Sequence, residues 1–141
     1  MEPASLPPAV VSESIRPAKQ GEMAAIRALI RLYPRNLLQR DLPRIPSFFV
    51  ALVGDRIVGC CALQIYSRRL AEVRSLVVHP DFQGRGIASR LLEQCQQRGR
   101  ERGVKQLLVV TGEVTLFERL GFSTFRREKI ALFYDVPASG S

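Results

Sequence analysis

The chain has 141 residues, 46% of them apolar and 24% charged. That suits one domain able to bury a core without disulfides. With 21 Lys and Arg against 13 Asp and Glu, the formal charge is +8, which favours anionic partners such as nucleic acid, acidic lipid or a polyphosphate cofactor. No apolar stretch approaches the ~20 residues of a membrane span, and neither a zinc-finger nor an RNA-binding pattern is present.

The N-terminal residues 1–13 are proline-rich, with no cationic segment followed by a long apolar one, so they read as a disordered lead-in rather than a secretory signal. Order begins near Ser14, with a short strand from Ser14 to Ala18. Met23, Ile26, Leu29 or Ile30, and Tyr33 then recur at helical spacing, and Pro34 ends that helix. Leu37 to Leu42 reads as another short helical piece before Pro43 and Pro46. Ser47 to Val53, Arg56 to Tyr66 and Leu70 to Val78 form a strand meander, with turns at Gly54-Asp55 and Ser67-Arg68-Arg69. His79-Pro80-Asp81 is a loop, because proline disfavours helix at the residue before it.

A helix follows from about Arg85 to Arg102, with Ile87, Leu91, Leu92 and Cys95 as its apolar stripe and Gly103 as its stop. Lys105 to Val110 reads as a buried strand. Val114, Phe117 and Leu120 mark a short helix ended by Gly121, and two last strands cover Phe122 to Arg127 and Ile130 to Val136. Residues 137–141 read as a flexible tail. The order β-α-β-β-β-α-β-α-β-β predicts an α/β (α+β) fold: a mixed central sheet flanked by helices, in a single domain over residues 14–136.

The basic residues are scattered, with small clusters at Arg68-Arg69, Arg98 to Lys105 and Arg126-Arg127, and they read equally well as a solvated surface. Cys60, Cys61 and Cys95 are odd in number and lack metal-ligand spacing, so they read as small buried hydrophobes in a reducing, cytoplasmic compartment. The only histidine, His79, lies beside a proline, which disfavours a Cys-His nucleophile, and no metal site is expected.

The most informative stretch runs from Leu76 to Leu92. A strand (Leu76-Val77-Val78) leads through a loop into a helix that opens on Gly84-Arg85-Gly86-Ile87-Ala88. The first N–H groups of a helix lack internal partners and sit at the positive end of its dipole, which suits a phosphate. Gly84 and Gly86 allow unusual backbone angles and close approach, Arg85 adds charge, and Ser89 adds a hydroxyl. The nucleotide P-loop needs Lys-Ser/Thr after its second glycine, and the dinucleotide fingerprint needs a third glycine. Neither is present.

Gln83-Gly84-Arg85-Gly86-Ile87-Ala88 instead matches Gln/Arg-x-x-Gly-x-Gly/Ala, and so resembles the coenzyme A pyrophosphate loop of the GNAT superfamily of N-acetyltransferases. The Leu-x-Val strand, the His79-Pro80-Asp81-Phe82 lead-in, Leu91-Leu92 and the Leu116-to-Phe122 segment fit the same pattern, across roughly Ile15 to Tyr134. Within the superfamily, Ala71 to Pro80 and Leu107 to Thr111 look most like the acetyltransferase domain of amino-acid N-acetyltransferases of the N-acetylglutamate synthase type.

The resemblance implies acetyl-CoA as co-substrate, gripped at Gln83, Gly84, Arg85, Gly86, Ile87, Ala88 and Ser89, and the backbone of Leu76, Val77 and Val78 pairing with the pantetheine arm. The N–H of Leu76 or Val77 would then face the thioester oxygen. Glu72, fourteen residues before Gly86, matches the glutamate base of the histone-acetylating members. On a strand it shares a face with Arg74, so it either takes the amine proton or simply pairs with that arginine.

Phe117 stands where many members place the tyrosine that protonates the departing sulfur, and Val110 where they place an asparagine. An alkyl thiol has a pKa near ~8.5 and leaves tolerably without a strong acid, so Phe117 is read as packing on the pantetheine or the core. Tyr33, Tyr66 and Tyr134 remain as stand-in acids. Arg40 or Arg74 can hold an acceptor carboxylate or be plain surface cations.

The expected activity is acetyl transfer from acetyl-CoA to a primary amine: that of an amino acid, or else a peptide, polyamine or small amine drug. The competing classes are a non-catalytic acyl-CoA sensor or subunit and a basic nucleic-acid binder. Monomer and homodimer both remain open.

Overall fold

The computed structural model describes residues 12–124, 132 and 134–137. Its sheet runs in sequence order: β1 (Glu13–Pro17), β2 (Phe48–Val53), β3 (Arg56–Ile65), β4 (Leu70–Val78) and β5 (Gln106–Leu108). The first four strands are antiparallel neighbours. β5 is parallel to β4, because the long helix α2 (Ile87–Glu101) intervenes as a crossover. A shorter helix, α1 (Met23–Ile30), joins β1 to the segment before β2.

Alternation along the strands divides the core between the two faces. On one face, Phe48, Val50, Leu52, Cys60, Ala62 and Val77 pack with Ile26, Leu29 and Ile30 of α1. The other face meets α2. There a Cβ added at Gly59 would lie 3.2 Å from Leu91 Cδ1, and one at Gly99 2.9 Å from Leu107 Cδ1. These two glycines let α2 settle closely on β3 and β5. Gly103 then ends α2 as anticipated. At φ 69° it allows Val104 N–H to donate to Gly99 O (2.9 Å) and its own N–H to Arg100 O (3.1 Å).

The chain divides into two compact units, one up to Val110 and one from Thr111 onward. In the second, α3 (Val114–Arg119) ends in the same way, with Phe122 N–H donating to Phe117 O and Gly121 N–H to Glu118 O. The Phe117 and Phe122 rings meet edge to face at 5.5 Å.

Several expectations need correction. α1 stops at Ile30 rather than running to Tyr33. The chain there is diverted by Gln39, whose Nε2 donates to Ile30 O (3.0 Å) and Leu37 O (3.1 Å). Residues 37–42 form a bent, irregular segment rather than a helix, and the short helical turn lies later, at Ile45–Ser47. His79-Pro80-Asp81 is not a plain loop, because Pro80–Phe82 forms a 3-10 turn capped by His79.

α2 begins at Ile87, so Gly84 and Arg85 precede it and Gly86 is its N-cap. β5 is three residues long, with Gln106 and Leu108 exposed, so among the described residues it is a half-covered edge strand rather than a buried one. Residues 122–124, 132 and 134–136 carry no strand. The rest of the two expected last strands, and Arg126-Arg127, lie outside the described residues.

Candidate functional site

The site is built on an irregularity in β4. Cys60 pairs with Val77 and Ala62 with Arg74, so two steps along β3 correspond to three along β4. The extra residue is a β-bulge, and Ser75 sits there in the left-handed region at φ 56°. His79 N–H donates to Val58 O at 2.7 Å. By the two-residue alternation of an antiparallel ladder, Val77 directs its backbone groups toward β3, while Leu76 and Val78 direct theirs away. The Val78 carbonyl, turned outward, receives the Tyr33 hydroxyl at 3.1 Å.

On that outer side, β5 pairs only with Leu70, Ala71 and Glu72. From Val73 to Val78, β4 has no outer strand partner among the described residues. The result is an open backbone edge that begins beside Glu72 and runs to the loop.

The loop continues from that edge. Gly84 and Gly86 have φ of 79° and 78°, a region that costs other L-residues about 1–2 kcal/mol. A Cβ at either would meet nothing within 4 Å among the described residues. The space the glycines leave is therefore open to a ligand rather than filled by protein. Among the described residues no side chain caps the N-terminus of α2, so its first N–H groups suit an anion.

Ile87 is buried in the core and can contribute to such a site only through its backbone. Ala88 and Ser89 are half-buried beside it. Gln83 turns back rather than outward: its Nε2 donates to the Tyr33 hydroxyl (2.8 Å) and approaches Val78 O (3.4 Å), tying the loop to the end of β4. Glu13 of β1 holds two cations of the rim, Arg90 at 2.6 Å and Arg85 at 3.4 Å. The hydrogen bond from Arg90, helped by Arg85, keeps the Glu13 carboxyl below its ordinary pKa.

A second polar group lies where β4 parts from β5. Glu72 stands opposite Gln64 on β3. Its Oε1 accepts from the Tyr66 hydroxyl at 2.5 Å, which raises the Tyr66 pKa. Arg74, on the same face, donates to Gln64 Oε1 at 2.8 Å. Glu72 and Arg74 thus have separate partners, and no ion pair joins them among the described residues. The simple pairing considered for them is not what holds either.

Arg40 is exposed on the segment after α1. Phe117 is buried in the second unit against Phe122. Tyr33 is committed to Val78 and Gln83, and Tyr134 is exposed.

All three cysteines are free and buried. Burial pushes the Cys60 thiol well up, and the Cys95 contact together with burial does the same for Cys61. Neither is primed as a nucleophile. Among the described residues no cluster of His, Cys, Asp and Glu can hold a metal ion, and no helix is long and apolar enough to cross a membrane. A shallow hollow lined by Arg27, Ile30, Arg31, Gln39 and Leu42 lies beside α1 and contains none of these groups.

The unmet backbone edge and the anion-ready helix start together suit a long ligand with an amide-bearing arm and a phosphate end. The sequence pattern drew attention to the loop and to Glu72, but not to Ser75's backbone or to the contact between Tyr66 and Glu72. One signal was present: Ala71, Val73, Leu76 and Val78 space their apolar side chains by two, three and two, and the interval of three marks the bulge.

The acetyltransferase (GNAT) domain family matches residues 44–124. An uncharacterized N-acetyltransferase of Chlorobaculum tepidum is 30% identical over 120 residues, covering 81% of this chain and 77% of that protein. The amino-acid acetyltransferase of Mycobacterium tuberculosis is 30% identical over 117 residues, covering 77% of this chain and 67% of that one. Among solved structures, a Mycobacterium tuberculosis protein in complex with CoA has a TM-score of 0.75 at 29% identity, over 79% of this chain and 72% of its own. The N-acetylglutamate synthase of Neisseria gonorrhoeae, complexed with coenzyme A and N-acetyl-glutamate, has a TM-score of 0.73 at 29% identity. The match covers 81% of this chain and 29% of that longer synthase.

Proposed function

Since the chain belongs to the GNAT acetyltransferase family and is an acetyl-CoA-dependent N-acetyltransferase, we propose that its acceptor is the α-amine of a free amino acid. The observation that carries this reading is the polar face at the mouth of the β4 edge. A carboxylate, Glu72, and a guanidinium, Arg74, stand two residues apart on one strand face, each positioned by its own neighbour. That arrangement complements a zwitterion, with the ammonium toward Glu72 and the carboxylate toward Arg74. Arg74 is preferred to Arg40 because Gln64 positions it on the same face as Glu72. The relatives named amino-acid acetyltransferase, and the synthase complexed with N-acetyl-glutamate, support the same acceptor class.

In this reading the chain's residues divide the work. The α2 start and the left-handed glycines hold the coenzyme diphosphate, with Arg85 and Ser89 at its side. The outer backbone groups of Leu76 and the Val78 N–H pair with the pantetheine arm, the Val78 carbonyl being held by Tyr33. Glu72 takes the ammonium proton, directly or through a water, which frees the nitrogen lone pair. As the nitrogen bonds to the thioester carbon, the Leu76 N–H donates to the oxygen that gains charge. Of the two donors anticipated, Leu76 is chosen because Val77 turns its N–H into the β3 ladder. The attacking nitrogen gives its second proton to water, the C–S bond breaks, and the electron pair leaves with the sulfur as thiolate, so one amine proton ends on Glu72 and the other in solvent. Phe117 has no proton to give, and the intrinsic acidity of an alkyl thiol makes one unnecessary.

The test compares Arg74→Ala with Arg40→Ala across a panel of amino acids. The Arg74 variant is expected to raise KM for the amino acid by about tenfold or more with KM for acetyl-CoA unchanged, while the Arg40 variant stays near wild type. An Arg74 variant with wild-type KM, or turnover confined to amines lacking a carboxylate, removes the amino-acid assignment.

A further inference from the structure

Beside the glycine loop lies a group of residues of which the acetyl-transfer scheme uses only Arg85. Phe82, in the turn after β4, has two guanidinium groups over its ring: Arg56, from the start of β3, at 5.2 Å from the centroid, and Arg85 at 5.0 Å. His79 meets the same ring edge to face at 5.9 Å. Two guanidinium groups on one ring make a positively charged spot that an anion would stabilise. Arg85 has only a long contact with Glu13, at 3.4 Å. Arg56 has no acidic partner within ion-pair distance among the described residues.

The histidine sharpens this picture. His79 Nδ1 accepts the Asp81 N–H at 3.1 Å, which assigns the ring proton to Nε2. The Asp81 carboxylate, 3.8 Å from Nδ1, is too distant to reverse that assignment. Yet Arg56 Nη2 stands 3.4 Å from Nε2. In that tautomer both groups are donors, and among the described residues no acceptor lies between them. An oxygen of an anion placed at their junction satisfies both.

We propose that Arg56, His79 and Arg85, arranged around Phe82, form a second anion subsite beside the Gly84–Gly86 loop, and that it holds the 3′-phosphate on the ribose of coenzyme A. The inference rests on the reading that the loop holds the coenzyme's diphosphate. Coenzyme A carries its phosphates at two places separated by one ribose. Arg85 belongs to the loop and to the Phe82 group alike, so the two subsites are contiguous. Arg56 becomes a specificity residue for the coenzyme, supplied by the strand hairpin rather than by the glycine loop.

The experiment is calorimetric titration of the protein and of Arg56→Met with coenzyme A and with dephospho-coenzyme A, which lacks only the 3′-phosphate. The wild type is expected to bind coenzyme A about tenfold more tightly than the dephospho form. Arg56→Met should lose about tenfold for coenzyme A and nothing for dephospho-coenzyme A, so the preference collapses. Arg56→Lys, which keeps the charge, should restore part of it. Arg56 is exposed, and a thermal melt checks that the variants stay folded.

Equal loss for both ligands in Arg56→Met overturns the subsite, and so does a preference left intact in that variant. A wild type that binds both forms tightly and equally overturns the subsite while leaving the coenzyme reading standing. A wild type that binds neither overturns both.

Discussion

Replacing Gly86 with leucine separates cofactor binding from folding. Gly86 sits at φ 78° as the N-cap of α2, and a leucine forced into that region costs about 1–2 kcal/mol. Nothing lies within 4 Å of the added Cβ, so no packing penalty is added. For a chain of this length the melting temperature should fall by about 3–8 °C, and the protein should stay folded at room temperature. The new side chain occupies the space beside the free N–H groups of α2. Coenzyme A affinity measured by calorimetry should therefore drop by tenfold or more, at least about 1.4 kcal/mol.

Gly59→Ala is the contrasting control. Its Cβ would lie 3.2 Å from both Leu91 Cδ1 and Val77 O. It should lower the melting temperature while leaving the affinity of the folded fraction near wild type. If Gly86→Leu binds coenzyme A as tightly as the wild type, the glycine loop is a structural turn and the cofactor lies elsewhere.

Three further outcomes are expected. Glu72→Gln should reduce kcat by about 10²–10⁴-fold with KM for acetyl-CoA unchanged, as read from steady-state rates; a wild-type kcat would remove Glu72 as the base. The Arg16 hydrogen bonds, with help from Lys19 N–H, hold the Glu22 pKa at about 2, below its ordinary value of 4.5. A lowered carboxyl pKa stabilises the fold above its unfolded value, and that stability is lost as pH falls through the folded one. The melting-temperature gap between wild type and Glu22→Gln should therefore be full at pH 7 and shrink from about pH 4.5 toward pH 2; a pH-independent gap contradicts it. Cys60, Cys61 and Cys95 should resist a thiol reagent in the native protein and all react after denaturation. Rapid native labelling would show that one of them is accessible.

The parts of the fold legible in the sequence were those with local chemistry. Gly54-Asp55 and the residues after Tyr66 mark the meander turns, the stripe Ile87, Leu91, Leu92 and Cys95 marks α2, and Gly103 marks its end. The glycine loop was legible because only a few backbone uses call for Gly84 and Gly86 at a helix start. Less legible was whatever depends on distant partners. Nothing local says that the Gln39 amide takes over the end of α1, that Tyr66 holds Glu72 across a hairpin, or that Arg56 and Arg85 share one ring. The strand after α2 looked buried from its apolar run. Its pairing with β4 lasts only three residues, and that short pairing leaves the outer edge of β4 open. The bulge at Ser75 was written in the apolar spacing of β4, yet a plain alternating strand is the simpler reading of the same residues.

Turnover of acetyl-CoA with a panel of free amino acids, followed by release of the coenzyme thiol and by the mass of the product, tests the account most directly. The expected result is an N-acetylated α-amine on at least one amino acid, formed by the wild type and lost in Glu72→Gln. Tight coenzyme binding with no acetyl transfer to any amine would contradict it and leave a coenzyme-binding module in its place.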